Sequence, residues 1–396
     1  MKSKILLLSA LVIASFGLAQ TKEIHFEKSS FADIKAKAKK ENKLIFIDAY
    51  TTWCGPCKWM AKNVFTNDTA ADYFNAKFIN AKVDMEQGEG PEIGKLYNVK
   101  CYPNLLVIDG DGNLVHRAAG ALVTKDFIQF GENAFNTEKR FSKYTTEYAA
   151  KKSDATFLLS YMNVLDRSCL PADDAVKDYF ATQKEENYSN RTNWEVMKNY
   201  VTDYKSKEFA HLLKNVDTYK KLYTADSVDN QIKMVLLQSG NRALFTKEGV
   251  SEKGYNTFIS EIKQLNYTKT DEVLFSLNLS YYQRAGNWTD YSKLLVEQGD
   301  LYLKDPNQIN NVSWTLYEHS DDKNALLKAE FWMGKVVKDL GEWYAYDTYA
   351  AVLYKLKKKK EAKAAADRAI EMAKKEGAAK DEYKGTLELL KKIDKL

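Results

Sequence analysis

Two cysteines separated by two residues form the most reactive pattern in this sequence. Residues 53–57 read Trp-Cys-Gly-Pro-Cys, and Cys54 and Cys57 lie between an apolar run and a segment of helical periodicity. At a helix start this spacing lets the sulfurs reach one another, and the free N–H groups and dipole stabilise a thiolate on the first. We therefore predict thiol–disulfide exchange in which Cys54 attacks and Cys57 resolves the mixed disulfide.

The alternative for such a pair is half of a zinc site, which needs two further ligands. The chain has no second Cys-x-x-Cys and no His-x-x-His, its four histidines are scattered, and Cys101 is the one residue that could join the pair. We expect no metal, and no diffusible cofactor, because a redox-active disulfide between Cys54 and Cys57 itself carries two electrons.

The elements that position this pair alternate between strand and helix over residues 20–137. Residues 43–50 form a nearly continuous apolar run typical of a buried strand, and a helix over 54–65 follows directly. Further strands are predicted at 78–84, 104–108 and 114–118, and further helices at 30–40, 91–97 and 123–135. This order implies an α/β fold with a mixed sheet flanked by helices.

The front segment resembles the thioredoxin family, and it is most similar to the exported thiol:disulfide interchange type with Trp-Cys-x-x-Cys-Lys. Asp48, six residues before Cys54, matches the family's buried acid, Tyr102-Pro103 matches its cis-proline element, and Gly120 matches the glycine after its last hairpin. The resemblance implies a thioredoxin-like fold and a role for Asp48 in deprotonating the resolving cysteine. It also implies a substrate-binding surface made of Trp53, Gly55, Pro56, Tyr102 and Pro103.

Physical reasoning leaves alternatives for some of these residues. Burial raises the pKa of a carboxyl, so Asp48 could accept a proton near neutral pH, or it could be a hydrogen-bonded polar group of the core. Trp53 could shield the disulfide and contact a substrate, or simply pack. The family usually carries a lysine where this chain has Asn80, and Lys82 lies two residues further along the same strand face, which leaves the tuning of proton transfer open.

Cys101 stands two residues before Pro103, which allows three interpretations. It could be a buried hydrophobe, half of a structural disulfide with Cys169, or a redox participant beside the active pair. Four cysteines in 396 residues do not make a disulfide scaffold, so cysteine function in this chain is local.

Residues 1–19 have the pattern of a secretory signal peptide, with Lys2 and Lys4 before an apolar stretch and a small-x-small cleavage site at 17–19. An uncleaved anchor is the alternative, although the apolar run is short for a membrane span. We expect export to the periplasm, or to the extracellular space, without stable membrane insertion after cleavage. The formal net charge of +5 falls to +3 without the two lysines and gives no reason to expect a nucleic-acid partner.

Residues 138–396 are poor in helix breakers and rich in Tyr, Lys, Leu and Ala, which predicts an all-α domain. Residues 343–376 resemble a tetratricopeptide unit, and weaker copies precede it. Stacked helix pairs of this kind can bind proteins or peptides, or they can serve only as a packing module.

These patterns predict an exported protein-disulfide oxidoreductase. Its expected partners are cysteine-containing exported proteins and an unidentified redox partner. The Gly55-Pro56 dipeptide resembles that of reducing thioredoxins, so we expect reduction; oxidase or isomerase activity is a further alternative. The alternative of another class is a redox-linked adaptor whose helical domain binds partners.

Overall fold

The computed structural model describes residues 22–247 and 249–396, so the predicted signal peptide lies outside the described residues. The chain divides into two compact units, the first ending at Asn187 and the second running from Tyr188 to Leu396. The predicted boundary after residue 137 lies just past the last helix of the sheet-containing layer, whereas the first compact unit continues for 50 residues beyond it.

The first unit alternates strands and helices and then continues with three further helices. Its elements are β1 Phe26–Glu27, α1 Phe31–Glu41, β2 Leu44–Tyr50, α2 Gly55–Asn63, α3 Asp68–Lys77, β3 Phe78–Asp84, α4 Gly90–Leu96, β4 Asn104–Ile108, β5 Leu114–Ala119, α5 Thr124–Phe135, α6 Phe141–Glu147, α7 Ala155–Asp166 and α8 Asp173–Ala181. The predicted α/β fold is confirmed, and the strands over 78–84 and 104–108 have the predicted bounds.

The five strands form one mixed sheet in the order β1-β3-β2-β4-β5. β1, β3 and β2 are parallel, whereas β4 is antiparallel to β2 and to β5. The central strand β2 is buried on both faces, which explains its continuous apolar sequence. The two faces alternate along it: Phe46 packs with α2, α3 and α5, and Ile45 and Ile47 pack with α1 and α4.

The outer edge of the sheet, β5, is covered by the chain that follows α5. The backbone N–H of Ala119 donates to the Arg167 carbonyl at 2.7 Å, and the N–H of Phe141 donates to His116 Nδ1 at 3.0 Å. Burial lowers the pKa of His116 to about 4, which keeps the imidazole neutral and able to accept that bond. Edge strands expose unpaired backbone groups, and here the carbonyl of Arg167, the C-cap of α7, accepts from one of them.

The second unit is helical apart from one short hairpin within its described residues. Its elements are α9 Arg191–Tyr200, α10 Lys207–Lys214, α11 Val216–Tyr223, α12 Ala225–Leu244, β6 Phe245–Thr246, β7 Gly249–Val250, α13 Glu252–Lys263, α14 Thr270–Arg284, α15 Trp288–Tyr302, α16 Pro306–His319, α17 Lys323–Leu340, α18 Trp343–Lys355, α19 Lys359–Lys375 and α20 Lys384–Asp394. Buried alanines such as Ala351 and Ala366 let α18 and α19 approach closely. Within 22–247 and 249–396, no helix is both long enough and apolar enough to cross a membrane.

Candidate redox site

The Cys-x-x-Cys motif lies at the N-terminus of α2, directly after the central strand. Cys54 is the N-cap of α2, and its sulfur accepts a hydrogen bond from the Cys57 N–H at 3.1 Å. Cys54 and Cys57 form a disulfide with a Cα–Cα distance of 5.3 Å. Gly55 begins the helix and Pro56 occupies its first turn, where a missing N–H and a fixed φ are tolerated. The Cys57 N–H at the start of the helix therefore lies against the Cys54 sulfur, where it stabilises a thiolate once the disulfide is reduced.

Asp48 is buried in the sheet beneath this helix. It follows Phe46 by two residues on β2 and so shares the face on which α2 packs. Its side chain is 1% exposed, and neither carboxylate oxygen accepts a hydrogen bond from another described residue. Burial raises its pKa from 3.8 to about 7, and the Lys82 ammonium opposes part of that rise. Such a carboxyl can exchange a proton near neutral pH.

Lys82 places a positive charge near Asp48, although this chain has Asn80 where the family usually carries a lysine. Strands β2 and β3 pair Asp48 with Lys82, and pair Asn80 with Phe46. Lys82 Nζ consequently lies 3.9 Å from Asp48 Oδ2 and 4.8 Å from the centre of the Tyr50 ring. Asn80 instead donates to the Phe74 carbonyl and to Asn75. The strand register thus places Lys82 beside Asp48, although the position at which the family usually carries its lysine is Asn80 in this chain.

Replacing Lys82 with methionine is expected to raise the pKa of Asp48 above about 7, because the change removes the nearby cation but keeps an apolar stem. A carboxyl ¹³C titration of the full-length protein would measure the midpoint. Lys62→Gln, on the exposed side of α2, is the matched control. An unchanged midpoint in Lys82→Met would show that the Lys82 charge does not act on Asp48.

Trp53, which directly precedes Cys54, contacts Tyr102. The Trp53 side chain is 64% exposed, its indole N–H donates to Glu86 Oε1 at 2.9 Å, and its ring meets the Tyr102 ring edge-on at 5.9 Å. The peptide between Tyr102 and Pro103 is cis, as the family resemblance implies. The structure therefore brings one pair of predicted substrate-binding residues, Trp53 and Tyr102, into direct contact.

Two backbone and side-chain contacts complete this surface. Gly120, at a φ of +87° that favours glycine, donates its N–H to the Pro103 carbonyl at 2.9 Å. Glu86, which holds the Trp53 indole, is absent from the residues predicted from the sequence. It follows β3 in a turn, and no sequence pattern connects such a turn with a tryptophan 33 residues earlier.

The second pair of cysteines joins the site to the helices that follow the sheet. Cys101, directly before Tyr102, forms a disulfide with Cys169, just beyond α7. Of the three interpretations of Cys101, the structural disulfide with Cys169 is the one that the structure contains. The loop that precedes the cis-proline is thereby tied to the helical part of the first unit.

Removing this disulfide in a Cys101→Ser/Cys169→Ser double variant is expected to destabilise the first unit by about 2–4 kcal/mol, because the bond closes a loop with a sequence separation of 68 residues. Amide hydrogen exchange in α7 and β5 of the full-length protein would report the loss. Equal protection with and without the bond would contradict a structural role. The double variant leaves no free thiol to attack Cys54 or Cys57.

Comparisons with known proteins find relatives for the first part of the chain. The family model described as Thioredox_DsbH, a protein of unknown function (DUF255), matches residues 20–107. Over 102 residues the chain is 35% identical to thioredoxin H-type of Oryza sativa subsp. indica, covering 26% of this chain and 76% of that protein. Over 119 residues it is 27% identical to chloroplastic thioredoxin Y of Oryza sativa subsp. japonica, covering 30% and 67% respectively.

A solved structure is also similar in sequence to part of this chain. A solution structure from Bacteroides thetaiotaomicron, described as a disulphide-isomerase, is 43% identical and covers 30% of this chain and 98% of that one, with a TM-score of 0.28. Each of these three relatives covers less than a third of the chain.

Proposed function

We propose that this chain, which belongs to the thioredoxin family, is an exported oxidoreductase that reduces disulfides in protein substrates. The family's chemistry is thiol–disulfide exchange, and the chain has the dithiol that this chemistry requires. The observation that carries the proposal is the position of Cys54 as the N-cap of α2, with its sulfur within hydrogen-bond distance of the Cys57 N–H.

The first step forms a mixed disulfide. With the site reduced, the Cys54 thiolate attacks one sulfur of a substrate disulfide, and the other substrate sulfur leaves as a thiolate. The N–H groups and dipole at the helix N-terminus stabilise the Cys54 thiolate. Trp53 directly precedes Cys54, its ring contacts that of Tyr102, and the Pro103 carbonyl accepts from the Gly120 N–H. In this proposal the substrate chain lies along these residues.

The second step releases the substrate. The Cys57 thiol loses its proton to Asp48, attacks Cys54, and forms the Cys54–Cys57 disulfide as the second substrate thiolate departs. Two electrons thus pass from the site to the substrate, and a pKa near 7 lets Asp48 accept that proton. The described disulfide is the product of this half-reaction. An external dithiol donor would have to reduce it again for the next turnover.

Export to the periplasm is part of the proposal and is supported by the sequence of residues 1–19. Reduction, rather than oxidation, is supported by the Gly-Pro dipeptide between the cysteines. For the second unit we keep the tetratricopeptide-like interpretation, supported by the close packing of α18 on α19 through small residues.

Trapping tests the proposal most directly. Cys57→Ala removes the resolving thiol, so Cys54 is expected to retain substrate proteins in mixed disulfides that mass spectrometry can map to their exact cysteines. The Cys54→Ser/Cys57→Ala double variant is the matched control and should retain none. Adducts on Cys101 or Cys169 instead of Cys54, or equal capture by the control, would overturn the assigned roles.

A further inference from the structure

Arg117 is a buried cation that the redox chemistry does not use. It lies on β5 with its side chain 4% exposed, and no carboxylate within residues 22–247 and 249–396 forms an ion pair with it. Burial lowers the pKa of Arg117 to about 10, so the guanidinium remains charged at neutral pH. A buried charge without an opposite charge destabilises a fold, and an apolar side chain would suit packing better here. The presence of Arg117 therefore has to be explained by the groups that it binds.

The groups that Arg117 binds belong to the two ends of one loop. Its Nη1 donates to the Tyr97 carbonyl at 2.8 Å, and its Nη2 lies 3.5 Å from the Asn98 carbonyl, directly after the end of α4. Nη2 also donates at 3.2 Å to Oδ1 of Asn104, a fully buried residue with which β4 begins. One planar guanidinium thus holds the beginning and the end of the loop over 97–104, and we call these three contacts the Arg117 clamp.

The guanidinium is itself held in place by the sheet and by α6. Arg117 pairs with Leu106 across β4 and β5, and Asn104, two residues before Leu106, lies on the same face of the sheet. The centre of the Phe141 ring, at the start of α6, lies 5.9 Å from the guanidinium carbon. The clamp therefore connects a loop without strand pairing to a side chain that is fixed on a paired strand.

The loop between the two ends carries residues assigned to the substrate. Residues 99–103 include Tyr102 and Pro103, along which the substrate chain lies in the proposed function. The disulfide between Cys101 and Cys169 fixes the middle of this segment, whereas the Arg117 clamp fixes the residues on both sides of it. Without the guanidinium, the substrate-binding residues lose the contacts that hold the ends of their loop.

We propose that Arg117 is a positioning residue for substrate binding, which acts through the loop over 97–104 and not on the reacting sulfurs. This inference rests on the proposed function, because the loop has a substrate only if the protein exchanges disulfides with other proteins. Arg117 then determines how tightly the substrate chain binds, while Cys54 keeps its reactivity as the nucleophile. Loss of the guanidinium is therefore expected to raise KM for a protein substrate and to leave kcat unchanged.

Amide hydrogen exchange tests the clamp independently of activity. The Val99 N–H donates to the Gly94 carbonyl at 2.8 Å and the Gly120 N–H to the Pro103 carbonyl at 2.9 Å, so these two amides report on the ends of the loop. In full-length Arg117→Met, which keeps an apolar stem without donors, both are expected to exchange at least about tenfold faster relative to the amides of β2 and β3. Arg117→Lys keeps the charge but not the planar fork and should give an intermediate rate. Equal exchange with and without the guanidinium would overturn the proposal.

Insulin reduction by the full-length protein tests the consequence for the substrate. Arg117→Met is expected to raise KM at least about tenfold and to change kcat by less than about twofold. The rate at which iodoacetamide alkylates reduced Cys54, which needs no substrate chain, should stay the same. Val176→Ala, a truncation of a buried side chain in α8, is the control for a general loss of stability and should keep its KM. If Arg117→Met does not fold, Asn104→Ala removes one end of the clamp and should raise KM as well.

Each result of these measurements supports the positioning role or contradicts it. A lower kcat with an unchanged KM, slower alkylation of Cys54, or an equal rise of KM in Val176→Ala would overturn the proposal. If the unaltered protein does not reduce insulin, the proposed function fails, and the exchange of the Val99 and Gly120 amides still decides whether Arg117 holds the loop.

Discussion

Replacing Cys54 with serine is expected to reduce the rate of protein-disulfide reduction by roughly 10³-fold or more. A serine hydroxyl is not ionised at neutral pH and cannot form a disulfide, so neither the attack nor the mixed disulfide remains. Insulin reduction by the full-length protein with a dithiol donor would measure the rate. The loss should exceed that of any substitution at Trp53 or Tyr102, which contact a substrate without exchanging electrons.

Two further variants make this result specific. Cys57→Ser keeps the nucleophile and should accumulate mixed disulfides while turnover stops. The Cys101→Ser/Cys169→Ser double variant should keep turnover, because the Cys54–Cys57 pair is separate from the second disulfide. Residual activity of Cys54→Ser near the unaltered rate would point to Cys101 as a second nucleophile, an alternative that the sequence alone leaves open.

The sequence predicts those parts of the fold that depend on local pattern. The apolar run at 43–50 corresponds to β2 at Leu44–Tyr50, and the hairpin strand at 104–108 corresponds to β4, because a strand buried on both faces must be apolar throughout. Helix α3 has no counterpart among the predicted elements. Its start is a local feature, since Asn67 Oδ1 accepts from the Thr69 and Ala70 N–H groups, but its apolar residues are too few to stand out.

The rest of the site depends on contacts between distant segments. Lys82 acts on Asp48 because of the register of two strands, and a pattern within either strand does not determine that register. The pairing of Cys101 with Cys169 depends in the same way on how α7 returns to the sheet. A hydrophobic period of 3.6 residues is typical of helices such as α6 and α7. It does not show that these helices pack with the preceding sheet rather than with the helices that follow.

Asp48 combines a functional role with a calculable effect on stability, and its replacement by asparagine is expected to change both. Its pKa rises from 3.8 to about 7 on burial. A carboxyl with a higher pKa in the folded chain holds its proton more tightly when folded, so its contribution to the free energy of unfolding falls as the pH rises from about 4 to about 7. A pKa difference of about three units between the folded and unfolded chains corresponds to about 4 kcal/mol in the free energy of unfolding, and this contribution is fully lost above pH 7.

Asp48→Asn has the same shape and cannot ionise, so it should be more stable than the unaltered protein above pH 7 by up to about 4 kcal/mol and nearly equal to it below about pH 4. Amide exchange of β2 and β3 in the full-length protein measures this difference in stability, with the exposed Asp126→Asn as control.

Asp48→Asn should also reduce disulfides at least about tenfold more slowly at neutral pH, because Cys57 loses its proton acceptor. Greater stability with an unchanged rate would mean that Asp48 is only a buried polar group. A slower rate without the pH-dependent gain would mean that Asp48 is already ionised at low pH in the folded chain. Only both effects together fit a carboxyl that is kept in the core, at a loss of stability, for the proton of Cys57.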